Sequence, residues 1–238
     1  MTDTPSGDRF AEIARSLGAE TSELGTLGRA LSVAVEIIEG CEHAGISLVV
    51  GGRRIETPAA TSHVALRGDQ LQYELGEGPC LDSIAHHETV ASPDLLKETR
   101  WPTWAPRVAQ ELGVRSMLCF QLFTTARSLG ALNLYSSSVS AFDVEDEAVG
   151  LTLAAHIAVA LAASREIDTR EAAMLNRTVI GQAEGILMER YDLSSDKAFS
   201  VLKRVSQDTQ TKLVLVAAEL VRTRRVPTMP VSGSAADE

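Results

Sequence analysis

Apolar residues recur at three- and four-residue steps along much of the chain, a spacing typical of helices with one buried face. Residues 101–112 show this pattern, with Pro102 in the first turn, where proline is well tolerated. Residues 9–40 show it too, and Gly40 is a suitable end for that helix. The apolar positions of this first helix are Leu24, Leu27, Leu31, Val35 and Ile38. We predict a helix over each range.

Between and after these helices the pattern changes to short runs of β-branched and other apolar residues. Residues 45–50 and 53–57 are separated by a Gly-Gly pair, which predicts a β-hairpin. Residues 116–123 and 130–135 are two further strand candidates. Strands joined by short turns and flanked by helices predict an α+β domain built on an antiparallel sheet.

A proline-free stretch from Val144 to Tyr191 predicts one long connecting helix. Residues 151–164 within it are apolar on nearly all sides and need burial on more than one face. Packing on the sheet and against a second copy of the chain meets this need, so we predict a homodimer through the helix at 144–191. Asp168 and Glu171 interrupt the heptads of a strict coiled coil.

Two shorter helices complete the predicted fold. Ser194 precedes the first, and its hydroxyl is a suitable cap for the free N–H groups of the opening turn. Thr209 or Thr211 starts the second, and Pro227 ends it. Together with the end of the long helix, they predict a C-terminal unit of three helices.

Charge is unevenly distributed over the 238 residues, whose formal net charge is −10. Residues 1–169 contain 12 Lys/Arg and 23 Asp/Glu, whereas residues 170–225 contain 10 and 7. This mildly basic end favours an anionic partner. No apolar run reaches the roughly 20 residues that cross a bilayer, and the N-terminus lacks an apolar signal segment. We therefore expect a cytoplasmic protein with no membrane partner.

The three cysteines, Cys41, Cys80 and Cys119, are odd in number and widely spaced. This spacing argues against a disulfide framework and against a zinc site. The chain also lacks a Gly-rich phosphate loop, a Ser/His/Asp set and a metal-binding motif. We expect no catalytic residues, no metal and no cofactor, and therefore a protein that is not an enzyme.

Residues 176–221 hold an ordered set of positions: Arg177, Ile180, the block Ala183-Glu-Gly-Ile-Leu-Met188, Ser194, Ala198-Phe199 and Val216-Ala217. This set resembles the ANTAR domain of bacterial transcription antiterminators. The resemblance implies a three-helix domain that binds paired small RNA hairpins near a terminator and lets transcription continue.

The preceding part of the chain holds a second set: Asp69-Gln70, Gly76-Glu-Gly-Pro-Cys80, Asp94, Arg100-Trp-Pro102, Gly113-Val-Arg-Ser116 and Gly130-Ala-Leu-Asn-Leu-Tyr135. It resembles a GAF domain of the kind fused to ANTAR domains in actinobacterial proteins. The resemblance implies a sensor with an antiparallel sheet flanked by helices. It does not name a ligand, because GAF domains bind many unrelated molecules or none.

We therefore expect four segments: a disordered or helical N-terminus (1–19), a GAF sensor domain (20–165), an ANTAR RNA-binding domain (166–226) and a disordered tail (227–238). The expected function is a signal-responsive, RNA-binding transcription antitermination regulator. An unknown small-molecule or protein signal shifts the GAF domain, and the long helix passes the shift to the ANTAR pair.

Basic side chains contact phosphate and amides read base edges, which gives the candidate RNA-binding residues. They are Arg177, Lys197, Lys203, Arg204, Gln207, Lys212 and Arg222. In the sensor half, Cys80 is a candidate ligand-binding residue because it lies at a predicted helix start, where thiols are often reactive. Trp101 is a candidate wall of a ligand pocket.

Two departures from the ANTAR pattern favour an alternative, a sensing dimeric scaffold without RNA binding. Glu184 stands where the family usually has lysine, and a carboxylate there repels phosphate. Val214 and Leu215 stand where the family is commonly polar, and they either form an exposed apolar patch or are buried. An enzyme is a third reading, since some GAF-fold proteins reduce methionine sulfoxide, but the cysteines here do not reproduce that family's pattern.

Overall fold

A computed structural model describes residues 7–52, 54–86, 89–125 and 127–226 of the chain. It divides into two compact units, Met1–Asp168 and Thr169–Glu238, which are treated separately below. The expectations of disorder at residues 1–6 and in the tail, and the helix stop at Pro227, lie outside the described residues.

The first helical stretch is two helices and not the single one predicted over 9–40. α1 runs over Gly7–Gly18 and α2 over Glu23–Ile37. The break has a local cause, because Ser22 is extended and its Oγ accepts a hydrogen bond from the N–H of Gly25 at 3.1 Å. This is a side-chain N-cap, which starts a new helix.

The first unit, Met1–Asp168, is called the sensor unit below. It is built on one sheet with strand order β2-β1-β5-β4-β3 and antiparallel pairing throughout. Its strands are β1 His43–Val50, β2 Arg54–Ala60, β3 Val90–Ser92, β4 Ser116–Thr124 and β5 Arg127–Ser136. The predicted Gly-Gly hairpin is confirmed: Gly51 and Gly52 have φ of 60° and 78°, as a primed hairpin turn requires. The antiparallel α+β class is confirmed as well.

Helices cover both faces of this sheet, because alternate strand residues point to opposite sides. Leu118 and Phe120 of β4 belong to a core shared with α1, α2 and the start of α6. Met117 and Cys119 belong to the opposite core. That second core is formed with α3 His63–Leu75, α4 Pro79–His86 and α5 Trp104–Leu112.

The long helix is confirmed as α6, Val144–Tyr191, with 48 residues. Its first part packs on the sheet, and Gly150 makes this possible, since a Cβ there would lie 2.3 Å from the ring of Phe120. Every residue from 166 to 178 is exposed. α6 is long and apolar enough to cross a membrane by length and composition, and 44% of its most apolar window is buried inside the structure. This one helix is too little to indicate a membrane protein.

The second unit contains the end of α6, α7 Ser195–Asp208 and α8 Leu213–Thr223. Ser194 is the N-cap of α7 as predicted, but its carbonyl, and not its hydroxyl, accepts the N–H of Ala198. α8 begins later than predicted, with Lys212 as its N-cap. The three helices share a core of Ala183, Leu187, Ala198, Leu202, Val216, Ala217 and Leu220.

Candidate nucleic-acid interface and sensor core

The sensor unit buries a carboxylate beneath α3. Asp69 is fully buried, and all its hydrogen-bond donors are uncharged. Thr57 donates to Oδ2 at 2.9 Å and Asn133 Nδ2 donates to Oδ1 at 2.8 Å. The Tyr135 hydroxyl also donates to Oδ1, and Ser47 lies 3.4 Å from Oδ2. The carboxylate thus connects α3 to strands β1, β2 and β5.

The same network extends to neighbouring polar groups. The hydroxyl of Tyr73 lies 2.6 Å from that of Ser47 and 2.7 Å from that of Thr57. Cys119 Sγ donates to Asn133 Oδ1 at 3.0 Å. A satisfied network of this kind fixes the relative positions of the elements that carry it.

Burial raises the pKa of Asp69 to about 6, although the hydrogen bonds from Tyr135, Thr57, Asn133 and Ser47 act in the opposite direction. Burial also raises the pKa of Tyr135, and the neighbouring Asp69 charge adds to that rise. Asp69 is therefore the group of this network whose charge changes near neutral pH.

Two glycines leave room for the network. A Cβ at Gly68 would lie 3.0 Å from the ring of Tyr135, and a Cβ at Gly45 would lie 2.7 Å from Asp69 Oδ2. Contacts this short do not admit a side chain unless the neighbour moves. The polar core therefore leaves no space for a side chain at either glycine.

The two residues expected to bind a sensor ligand both lie in this buried core. Cys80 is 0% exposed, and its backbone N–H donates to Gln72 Oε1 at 2.8 Å. Trp101 is 2% exposed, and its Nε1 donates to Asp82 Oδ2 at 2.8 Å. Asp69 was not predicted as a site residue. A usable signal was the presence of an acidic residue in a helix, α3, whose neighbouring residues Ala65 and Leu71 are apolar and buried.

The seven predicted RNA-binding residues fall on three helices of the second unit. Lys197, Lys203, Arg204 and Gln207 lie together on the exposed face of α7, opposite buried Ala198 and Leu202. Arg177 is exposed on α6, Lys212 precedes α8, and Arg222 lies in the last turn of α8. We define the α7 group of four as the α7 basic face.

Acidic side chains partly neutralise these candidates. Arg204 lies 3.8 Å from Asp208, and Arg222 lies 2.6 Å from Glu219. Within the described residues, Lys197 and Lys203 have no carboxylate within 4.0 Å. Their ammonium groups are the freest cations of the α7 basic face.

The two departures from the ANTAR pattern have different environments. Glu184 is half-buried and accepts a hydrogen bond from Ser195 Oγ at 3.2 Å. Leu215 is 56% exposed, whereas Val214 is half-buried. Of the two alternatives stated for this pair, exposure therefore applies mainly to Leu215.

The chain thus consists of an α+β sheet domain followed by a three-helix unit with exposed basic residues, and two family models match these two parts. The chain belongs to the GAF domain family, whose model matches residues 20–162, and residues 168–221 match the ANTAR domain. ANTAR domains bind RNA in antitermination regulators.

Three solved structures resemble the sensor unit. The GAF domain of a phosphoenolpyruvate-protein phosphotransferase from Coxiella burnetii is 16% identical, with a TM-score of 0.54 over 67% of this chain and 94% of that one. The equivalent domain from Acinetobacter is also 16% identical, with a TM-score of 0.53 over 67% and 93%. The free methionine-R-sulfoxide reductase of Neisseria meningitidis is 22% identical, with a TM-score of 0.50 over 66% and 88%.

These likenesses establish the fold of the sensor unit. None of the curated proteins compared with the chain matches it.

Proposed function

We propose that this chain is a signal-responsive transcription antitermination regulator whose ANTAR domain binds paired RNA hairpins. The observation that carries the proposal is the α7 basic face, where Lys197 and Lys203 are exposed and unpaired within the described residues. Free ammonium groups attract phosphate, and the unstacked bases of hairpin loops offer edges that Gln207 is able to read.

The direct test is a gel-shift titration of the full chain against an RNA with two tandem hairpins. We expect binding that weakens as salt rises, and weaker binding to an RNA with one hairpin. Lys197→Ala with Lys203→Ala should reduce affinity about tenfold or more, because both phosphate contacts are lost.

Lys97→Ala is the matched control, since Lys97 is an exposed lysine of the sensor unit. It should leave RNA affinity unchanged. Absence of binding at every salt concentration tested, down to low ionic strength, would refute the proposal.

The regulator is proposed to act as a homodimer through the helix at 144–191. In the sensor unit, α6 leaves an apolar stripe exposed, which we define as Ala148, Leu151, Ala155, Val159 and Ala163. Leu151 is 52% exposed and Val159 is 68% exposed. Residues 148–164 contain no Asp, Glu, Lys or Arg. A second copy covers such a stripe through a two-fold interface and brings two ANTAR domains to two hairpins.

The GAF domain is proposed to be the sensor of an unidentified small-molecule or protein signal, in the cytoplasm and without catalysis of its own. Cys80 and Trp101, the two ligand-binding candidates, are both buried in the sensor core. The buried Asp69 network supports a domain that responds as a unit, because it ties α3 to three strands.

A sensing scaffold without RNA binding is the second candidate. It is favoured by Glu184, which places a carboxylate at a position that is usually basic in ANTAR domains. Exposed Leu215 adds an apolar surface suited to self-association.

A further inference from the structure

A groove lies between the end of α6 and α8 in the ANTAR domain. Its volume is about 490 Å³. It is lined by Gln182, Gly185, Ile186, Glu189 and Arg190 of α6 and by Val221 and Arg224 from α8 and its C-cap. None of the seven RNA-binding candidates named from the sequence lines it.

No contact within the described part of the chain explains why residue 185 in this groove is a glycine. Glycine in a helix interior is destabilising relative to alanine, so its presence usually reflects a close neighbour. A Cβ at Gly185 would nevertheless have no atom within 4 Å, and the same holds for Gly181 one turn earlier. Tight packing between helices of one chain is therefore not the reason for either glycine among the described residues.

The groove is lined by more basic than acidic side chains: two arginines and one glutamate. Arg190 and Arg224 are exposed, and within the described residues neither has a carboxylate within 4.0 Å. Arg190 donates one hydrogen bond, from Nη1 to the carbonyl of Arg224, which leaves its other donors available. Glu189 is the acidic residue among the lining positions.

We propose that the groove receives the sugar–phosphate backbone of bound RNA, with Gly185 as the point of closest approach. Arg190 and Arg224 contact phosphate oxygens, and Gln182 hydrogen-bonds to phosphate or ribose. A bare glycine surface lets the backbone approach closer than any side chain permits. This assignment rests on the proposed RNA-binding function and adds to it a second contact surface, separate from the α7 basic face.

The two open glycines provide a matched pair for the test. Gly185→Ala and Gly181→Ala should both raise the melting temperature, because each adds a helix-favouring methyl group in open space. Only Gly185→Ala should weaken tandem-hairpin RNA binding, by about tenfold. Gly181 does not line the groove.

The two arginines that follow α8 provide a second pair. Arg224→Gln should reduce the slope of log affinity against log salt by about one, since one phosphate contact is lost. Arg225→Gln removes the same charge next to the groove without removing a lining residue, and it should leave the slope unchanged.

The outcomes separate the two proposals. If the wild-type chain binds RNA, and Gly185→Ala and Arg224→Gln bind it equally well, the groove assignment is overturned while the RNA-binding function stands. If the wild-type chain binds no RNA, both fail. If Gly185→Ala lowers the mass of the assembly in solution and leaves RNA affinity unchanged, a second protein copy occupies the groove, and the assignment is again overturned.

Discussion

The hydroxyl of Tyr135 donates a hydrogen bond to the buried carboxylate of Asp69, which joins the end of β5 to α3 across 66 residues of sequence. Both side chains are fully inaccessible to solvent. A buried carboxylate with only neutral donors remains costly when charged, because hydrogen bonds replace part of its hydration but no cation balances it. This pair makes the stability of the sensor unit dependent on pH.

Asp69→Asn tests that dependence. The folded pKa of Asp69 is about 6, above the ordinary value of 3.8. Between about pH 4 and pH 6, the folded state therefore holds a proton on Asp69 that the unfolded state has lost. Stability contributed by the neutral form is complete below pH 4 and is lost as pH rises through 6, by about 3 kcal/mol in all. The asparagine variant should lack this loss. Urea unfolding followed by tryptophan fluorescence measures it, since Trp101 and Trp104 are the chain's two tryptophans and both lie in this core.

A comparison variant with the opposite sign is Glu98→Gln. Hydrogen bonds from Arg100 lower the pKa of Glu98 to about 2, so its contribution is present above about pH 4.5 and is lost as pH falls towards 2. Between pH 5 and 7, the free energy of unfolding of the Glu98→Gln variant should change with pH in the same way as that of the wild type. Wild-type and Asp69→Asn curves that remain parallel from pH 4 to 7 would show that Asp69 does not titrate in this range.

Gly68→Ala should destabilise the sensor unit even though alanine favours helices. The new Cβ would lie 3.0 Å from the ring of Tyr135, which the Asp69 hydrogen bond holds in place. Overpacking of this kind costs about 1–3 kcal/mol, which exceeds the gain of about 1 kcal/mol from helix propensity. The tryptophan-detected urea transition should move to lower concentration.

Gly28→Ala is the control for this variant, because Gly28 lies inside α2 and a Cβ added there would have no atom within 4 Å. It should raise the free energy of unfolding by up to about 1 kcal/mol. Equal effects of the two substitutions would mean that Tyr135 moves aside without cost.

The sequence predicts the elements whose signals are local. The Gly51-Gly52 hairpin follows from glycine's access to positive φ, and α6 follows from 48 residues without proline. The break between α1 and α2 was missed because the apolar spacing continues across it, while the Ser22 cap that creates it is a single hydrogen bond. A single capping hydrogen bond is a weaker sequence signal than an apolar spacing that continues over several helical turns.

The hydrogen-bond network around Asp69 could not be predicted from local sequence patterns, because its members come from distant segments of the chain. Asp69, Thr57 and Asn133 meet only once the strand order β2-β1-β5 is formed. The same limit applies to the groove in the ANTAR domain. Gly185 was visible in the sequence, but its open surface and its neighbour Arg224 depend on how α8 packs against α6.

Glu184→Lys tests whether the carboxylate of Glu184, the feature that favours the scaffold without RNA binding, weakens RNA binding. Glu184 accepts a hydrogen bond from Ser195, and its charge disfavours phosphate nearby. If RNA binds this surface, lysine should raise affinity for the tandem-hairpin RNA several-fold at low salt, and the gain should shrink as salt rises. Ser195→Ala removes the same hydrogen bond without changing charge, and it should leave the affinity near that of the wild type. An unchanged affinity for Glu184→Lys would show that this carboxylate lies away from the RNA.

Val159→Glu tests the proposed dimer through α6. Val159 is 68% exposed in the centre of a face without charged residues, so in a two-fold interface the new carboxylates would be buried near each other. The molar mass in light scattering should fall from twice the chain mass to that of a single chain, and RNA with two hairpins should bind more weakly because the two ANTAR domains are no longer linked.

Leu96→Glu is the matched control for Val159→Glu, since Leu96 is a 53% exposed leucine outside the stripe. It should leave the mass unchanged. A wild-type chain that is monomeric at every concentration measured, or a Val159→Glu variant that remains dimeric, would remove this stripe as the interface. If the wild-type chain is monomeric, tandem-hairpin binding requires two independent chains, and the fraction of RNA bound should rise more steeply with protein concentration than it would for one preformed dimer.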